Sequence, residues 1–177
     1  MIVAIQDANI LIDLHKTGLL EAYFRLGMET HTTDLVLSEV EQELAPFVKT
    51  GQLRVEVLND VELMALLDFK GKQPPALSIQ DCSVFRLAIQ KQAILLTGDG
   101  KLRSHAEAAK LEVHGALWLF DLMVEKGILD LGQAIDRLKH LMQTNPRLPA
   151  DACEERLKKW AAGQAIAPKR PTGKQRK

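Results

Sequence analysis

The chain opens with a strand and a helix in residues 2–14, which read IVAIQDANILIDL. Residues 2–5 form a short apolar run without alternation, which is typical of a strand buried on both faces. Ile10, Leu11 and Leu14 then recur at helical spacing, so a helix is predicted directly after the strand. A strand that passes into a helix in this way is the repeating unit of α/β proteins with parallel sheets.

The same alternation continues along the rest of the chain. Further strands are predicted at 53–57, 93–96 and 112–114, and residues 32–37 are predicted to be extended or turn-like. Helices are predicted at 19–26, 38–46, 61–69, 78–92, 100–110, 116–126, 131–143 and 151–162. Because no hairpin signal joins two strands, we predict a three-layer α/β/α fold with a central parallel sheet, plus C-terminal helices.

Two of the predicted helices begin with a capping box, in which a serine is followed three residues later by an acid. Ser38 with Glu41 and Ser78 with Asp81 have this spacing. Pro46 is expected to end the first of these helices, because proline lacks the backbone N–H that a helix interior needs.

The composition indicates one globular domain. The chain has 177 residues, of which 46% are apolar and 26% are charged. No apolar run approaches the ~18 residues of a membrane helix, and the first residues lack the pattern of a signal peptide. Cys82 and Cys153 are too few for a disulfide scaffold, so we expect a cytoplasmic protein.

The formal net charge is zero, but the charges are unevenly distributed. Residues 163–177 contain five basic side chains and no acid, so residues 1–162 contain 18 basic and 23 acidic side chains. We therefore predict a domain at 1–162, which ends in a helical extension, and a basic, disordered tail at 163–177. An acidic body argues against a broad cationic surface for nucleic acid, but it is compatible with a nuclease whose carboxylates bind metal.

Four acids lie where predicted strands end or predicted helices begin. Asp7 follows the first strand, and Asp99 follows the strand at 93–96. Glu39 and Asp81 lie in the first turns of helices. Since ligands gather at the carboxyl ends of the strands in such sheets, the four carboxylates are predicted to converge. Each acid alone also has a structural interpretation, as a helix cap or as an acid in the first turn of a helix, where the dipole favours a carboxylate.

The local sequence around these acids resembles the motifs of the PIN-domain family of nucleases, which includes VapC-type toxins. The matching stretches, in family order, are Asp7-Ala8-Asn9, Leu37-Ser38-Glu39-Val40, Gln80-Asp81-Cys82 and Thr97-Gly98-Asp99. Each stretch alone is a weak signal, whereas the ordered set is specific. The resemblance extends over about residues 2–115 and implies a PIN-like fold.

The resemblance also implies an endoribonuclease that hydrolyses phosphodiester bonds of RNA with Mg²⁺ or Mn²⁺. Its catalytic and metal-binding residues would be Asp7, Glu39, Asp81 and Asp99. Asp7 and Asp99 would be the principal ligands, and Asn9 and Thr97 would position them by hydrogen bonds. Oxygen ligands of this kind suit Mg²⁺ or Mn²⁺ better than zinc. Glu43, one turn further along the helix, is the alternative to Glu39.

Further positions bear on partners. Lys101 and Arg103 lie at the start of a helix, where the dipole disfavours cations. Either they contact an RNA phosphate or a carboxylate, or they point into solvent. The apolar stretch 116–124 is either core or a surface for a homodimer or an antitoxin, as in VapC-type toxins. A non-catalytic PIN-like module that binds protein or RNA is the alternative to the nuclease.

Overall fold

The structure is a computed structural model that describes residues 2–38 and 40–171. Its strands are β1 (Val3–Gln6), β2 (Glu29–Thr33), β3 (Leu53–Glu56), β4 (Ile94–Leu96) and β5 (Val113–His114). Its helices are α1 (Ala8–Lys16), α2 (Leu20–Phe24), α3 (Asp34–Leu37), α4 (Glu41–Lys49), α5 (Asp60–Gly71), α6 (Ile79–Lys91), α7 (Gly100–Ala108), α8 (Ala116–Glu125), α9 (Leu131–Thr144) and α10 (Ala150–Ala161). The strands lie in the order β3-β2-β1-β4-β5 and every pair is parallel.

Helices cover both faces of this sheet and so create two apolar cores. Ala4, Ile94 and Leu96 share one core with α1, α2 and the C-terminal helices α8, α9 and α10. Ile5 and Leu95 belong to the other core, which they share with α6 and α7. Neighbouring side chains of a strand point to opposite faces, and here both faces are covered, so β1 and β4 are apolar without alternation. The predicted three-layer α/β/α fold is confirmed.

The region of β2 and α3 differs most from the prediction. Residues 32–37 are predicted to be extended or turn-like, whereas Glu29–Thr33 form β2 and Asp34–Leu37 form the helix α3. The threonines of β2 are buried and hydrogen-bonded. The Thr30 hydroxyl lies 2.9 Å from the Tyr23 hydroxyl, and Thr32 Oγ1 donates to the Gln6 carbonyl at 3.0 Å. Buried polar groups that have partners are tolerated in a core. The strand therefore forms without the apolar pattern by which buried strands are predicted.

The helix predicted to begin at Ser38 is shifted. The Ser38 Oγ donates to the Leu35 carbonyl at 2.8 Å, because Ser38 already lies at the end of the short helix α3, which Thr33 caps. Val40 is the N-cap of α4, which includes Pro46 instead of ending there. The predicted capping box at Ser38 and the predicted helix end at Pro46 are therefore wrong.

The apolar stretch 116–124 lies in α8 and is buried throughout, so its interpretation as core is confirmed. A different helix exposes apolar side chains. Val61 and Met64 on α5 are 78% and 61% exposed, and Val57 just before this helix is 72% exposed. Within residues 2–38 and 40–171, no helix combines the length and apolar character needed to cross a bilayer.

The basic tail is described as far as residue 171. Residues 163–171 contain no helix or strand, but Pro168 is buried. The indole Nε1 of Trp118 donates to the Lys169 carbonyl at 2.7 Å, which holds this part of the tail against α8. Residues 172–177 lie outside the described residues, so disorder of the tail stays a prediction.

Candidate functional site

The order of the strands creates a crevice at the carboxyl ends of β1 and β4. The sheet continues from β1 to β2 and β3 on one side, and from β4 to β5 on the other. The helices after these two central strands accordingly pack on opposite faces, α1 on one and α7 on the other. Ligands of open α/β sheets bind at such a switch point. Asp7 follows β1 directly and Thr97 follows β4 directly, so both lie at the crevice.

Asp7 is held there by several hydrogen bonds. Its backbone N–H donates to the Leu96 carbonyl at 3.0 Å, which continues the pairing of the two strands. Its Oδ2 accepts from Thr97 Oγ1 at 2.8 Å and from Asn9 Nδ2 at 3.1 Å. Asp7 is only 3% exposed. The carboxylate is thus fixed in one orientation by donors that carry no charge.

Thr97 links Asp7 to Asp99. The Asp99 backbone N–H donates to Thr97 Oγ1 at 3.0 Å, and this hydroxyl donates in turn to Asp7. Asp99 is the N-cap of α7, where its Oδ1 accepts from the N–H groups of Lys101 at 2.9 Å and Leu102 at 2.8 Å. Its Oδ2 accepts no hydrogen bond from the described part of the chain. The capping interpretation therefore accounts for one oxygen of Asp99.

Asp81 also uses one oxygen to cap a helix. Its Oδ2 accepts from the Ser78 N–H at 2.7 Å, and its own N–H donates to the Ser78 Oγ at 3.0 Å. The predicted capping box at the start of α6 is confirmed. The negative charge of Asp81 raises the pKa of Asp7, so the two carboxylates lie within electrostatic range of each other.

The fourth acid of the predicted set is Glu39. Glu39 lies outside the described residues, so its role as a ligand stays a prediction. Glu43, the alternative, is exposed on α4.

Within the described residues, no cation balances the charge of Asp7. Burial is the largest influence on this carboxyl and raises its pKa, and the charge of Asp81 raises it further. The hydrogen bonds from Thr97 and Asn9 act in the opposite direction. No cationic side chain of the described residues contributes to lowering it. The crevice therefore carries a negative charge that an external cation would neutralise.

The donor atoms at this crevice are carboxylate, amide and hydroxyl oxygens, which suit a hard divalent cation. Within residues 2–38 and 40–171, however, no three His, Cys, Asp or Glu side chains lie close enough together to hold a metal ion. The described acids match Mg²⁺ or Mn²⁺ in chemistry and in charge. They do not by themselves form a complete coordination shell.

The two cations at the start of α7 have different surroundings. Arg103 is half-buried, and its guanidinium donates to the carbonyls of Thr97 at 3.1 Å and Val113 at 3.3 Å. It also pairs with Glu107 at 3.4 Å. Lys101 is exposed. Arg103 is thus fixed beside the crevice by carbonyl oxygens and a carboxylate, which explains its position near the start of a helix.

A cleft of about 500 Å³ is lined by Thr97 and Gly98, and no motif in the sequence indicates it. It is bounded by the start of α8 and by residues 145–149, which connect α9 to α10. Asp13, only 6% exposed, lines the cleft and accepts from Asn145 Nδ2 at 2.8 Å. The local signal that could have indicated this cleft is an acid among the apolar residues of α1.

A protein-family model agrees with this architecture. The family model DUF3368, described as a PIN domain, matches residues 3–162. The chain belongs to the PIN-domain family, as the ordered motifs predict, and therefore has a nuclease-type fold.

A search of curated proteins finds no match. Among solved structures, the chain is similar to the PilT N-terminus domain protein SSO1118 of the hyperthermophilic archaeon Sulfolobus solfataricus P2. The TM-score is 0.48 and the identity 13%, over 70% of this chain and 92% of that one.

Proposed function

We propose that this chain is a metal-dependent endoribonuclease, which hydrolyses phosphodiester bonds of RNA with Mg²⁺ or Mn²⁺. The observation that carries the proposal is the state of Asp7. This carboxylate is buried at the switch point of the sheet, where it has neutral hydrogen-bond donors and the charge of Asp81 nearby. A buried charge without a partner is strongly unfavourable, so the arrangement favours a site that binds a cation from outside.

In this proposal each side chain of the predicted set has a role. The cation would be held by Asp7, Asp81 and Asp99, with Glu39 as the fourth acid. When bound, the metal supplies a water of lowered pKa and offsets charge on the leaving oxygen. Thr97 and Asn9 keep Asp7 in one orientation through their hydrogen bonds. Lys101 and Arg103 lie at the start of α7 and would contact RNA phosphates.

The test compares two aspartates that have the same structural role. Asp99 caps α7, and Asp130 caps α9 by accepting from the Gln133 N–H at 2.7 Å. Because asparagine caps helices as well as aspartate does, Asp99→Asn and Asp130→Asn should both fold normally. We expect Asp99→Asn to cleave a defined set of single-stranded RNAs at least about 100-fold more slowly than wild type in Mg²⁺ or Mn²⁺.

The matched control Asp130→Asn should cleave at the wild-type rate. Equal cleavage by wild type and both variants would indicate a contaminating nuclease and would contradict the proposal. Melting curves of the three preparations would show whether a lost activity reflects a lost fold.

The alternative function is a non-catalytic PIN-like module that binds protein or RNA. It is favoured by one observation, which is that the described acids do not form a group of three close enough to hold a metal. The same assay distinguishes the two functions, because the module would leave every RNA intact in either metal.

Two narrower proposals concern partners. The first is that the chain is the toxin of a toxin–antitoxin pair and binds a protein antitoxin, and the second is that it forms a homodimer. Because α8 is buried, the contact surface would lie on α5, where Val61 and Met64 are exposed. Exposed apolar patches of this kind are typical of protein interfaces. A cytoplasmic location stays a prediction.

A further inference from the structure

The cleft beside Thr97 extends beyond the residues used in the proposed hydrolysis, and it is suited to part of an RNA substrate. We propose that this cleft binds one unpaired nucleotide of the RNA, adjacent to the phosphodiester bond that is cleaved at Asp7. The inference rests on the proposed function, because it assumes that the substrate is single-stranded RNA. The volume of about 500 Å³ is in the usual range for a site that encloses a small ligand.

The cleft lies next to the acidic crevice, because the two side chains that hold Asp7 line the cleft or the hollow beside it. Thr97 and Gly98 line the cleft, and Thr97 is a hydrogen-bond donor to Asp7. A smaller hollow of about 250 Å³ also borders Gly98 and is lined by Asn9, the second donor to Asp7. Asp13 lines both spaces. A nucleic-acid strand whose phosphate lies at Asp7 can therefore extend one nucleotide into the cleft.

Two arginines at the cleft favour the binding of phosphate groups. Arg103 and Arg147 both line the cleft, and residues 1–162 as a whole carry five more acidic than basic side chains. Arg103 is held by carbonyl oxygens, and the Arg147 backbone N–H donates to Asn145 Oδ1 at 3.0 Å. These two guanidinium groups, of which Arg103 also pairs with Glu107, are placed to contact the phosphates on either side of a bound nucleotide.

The remaining surface of the cleft suits a base. Trp118 lines it together with the apolar side chains of Leu148 and Pro149. The indole is held rigidly, because it stacks on His114 with 3.9 Å between ring centroids. Asp13 provides a buried acceptor in the same space. An apolar surface with a carboxylate acceptor favours a base that carries an exocyclic amino group, such as cytosine, over uracil.

The test measures binding without cleavage. The probes are fluorescein-labelled oligocytidylate and oligouridylate decamers, and their affinities for the full chain are measured by fluorescence anisotropy in EDTA. Arg147→Gln should weaken the binding of oligocytidylate about fivefold and reduce the slope of log K against log salt by about 0.7. The control is Arg25→Gln, which changes another exposed arginine and should alter neither quantity. Arg25 precedes the amino end of β2, whereas the cleft lies near the carboxyl end of β4.

A second variant tests the contact with the base. Wild type should bind oligocytidylate about fivefold more tightly than oligouridylate, and Asp13→Asn should reduce this preference to about twofold or less. If Asp13 only ties α1 to Asn145, the variant would lower the melting temperature and leave the ratio of the two affinities unchanged, which would overturn the assigned base contact.

The outcomes separate this inference from the proposed function. Equal affinities of Arg147→Gln and Arg25→Gln, or no binding by wild type, would overturn the cleft as a nucleotide site, even if RNA is cleaved in Mn²⁺. Binding that depends on Arg147, in a protein that cleaves no RNA, would support the cleft and contradict the hydrolase.

Discussion

Asp7 and Asp121 are both buried carboxylates, with exposures of 3% and 2%, but their surroundings differ. Asp121 lies on α8 and accepts two hydrogen bonds from Arg156 on α10, at 2.9 Å and 2.5 Å. Asp7 accepts hydrogen bonds from neutral groups and is near the negative charge of Asp81. Burial is the largest influence on both carboxyls and raises both pKa values, but among the described residues only Asp121 has a cation that acts against it.

This difference separates a structural carboxylate from a functional one. The Asp121–Arg156 pair is complete within the chain and connects two C-terminal helices, so its loss should affect stability. The charge of Asp7 is not balanced by a cation of the described chain, so its loss should affect binding of an external cation. A perturbed carboxyl at a crevice without a counter-charge is a typical mark of a functional site.

The largest expected effect is a loss of stability when Asp121 is deprived of Arg156. Arg156→Ala would leave the Asp121 carboxylate buried without its cation and should lower stability by about 3–5 kcal/mol. For a chain of this size the melting temperature should fall by roughly 10 °C. Lys158→Ala is the control, since Lys158 is 80% exposed and pairs with Glu154 at 3.8 Å on the same helix. Similar small losses in both variants would show that the buried pair is not a structural tie.

The next largest effect is expected for metal binding at Asp7. Mn²⁺ should raise the melting temperature of wild type, because a ligand that binds only the folded state stabilises it. At about 100 times the dissociation constant, the gain is about 2.7 kcal/mol, or roughly 5–10 °C. The Mn²⁺ response should be absent in Asp7→Asn and present in Arg156→Ala. A response that persists in Asp7→Asn would mean that the cation binds elsewhere.

The comparison also shows what a sequence can predict of such a fold. The strands β1 and β4 could be predicted, because burial on both faces leaves a continuous apolar run. The strand β2 could not, because its buried threonines are satisfied by partners on other elements, such as Tyr23 for Thr30. The start of α6 could be predicted, because Ser78 and Asp81 are close in sequence and cap each other.

The same distinction applies to the candidate site. Asp7, Asp81 and Asp99 could be found from local motifs at strand ends and helix starts. The hydrogen bond that joins Asp7 to Thr97 spans 90 residues, and the one that joins Asp13 to Asn145 spans 132 residues. A family motif indicated the first contact. No motif indicated the second, so the cleft emerged only from the tertiary structure.

The smallest expected effect isolates the cost of the uncompensated charge. In EDTA at pH 7, Asp7→Asn should be more stable than wild type by about 1 kcal/mol, because it removes a buried negative charge and keeps an oxygen acceptor. The raised pKa of Asp7 means that the folded protein binds this proton more tightly than the unfolded chain does. Wild type therefore gains stability relative to the variant as the pH falls through this raised pKa.

The advantage of Asp7→Asn should consequently disappear as the pH approaches the ordinary value of 3.8. Denaturant melts of both proteins from pH 7 to pH 4 would measure it, with Asp68→Asn, an exposed aspartate on α5, as the control. A wild type that is more stable than Asp7→Asn throughout this range would show that the Asp7 charge is compensated inside the fold. The carboxylate would then resemble Asp121, and the case for an external cation at the crevice would be lost.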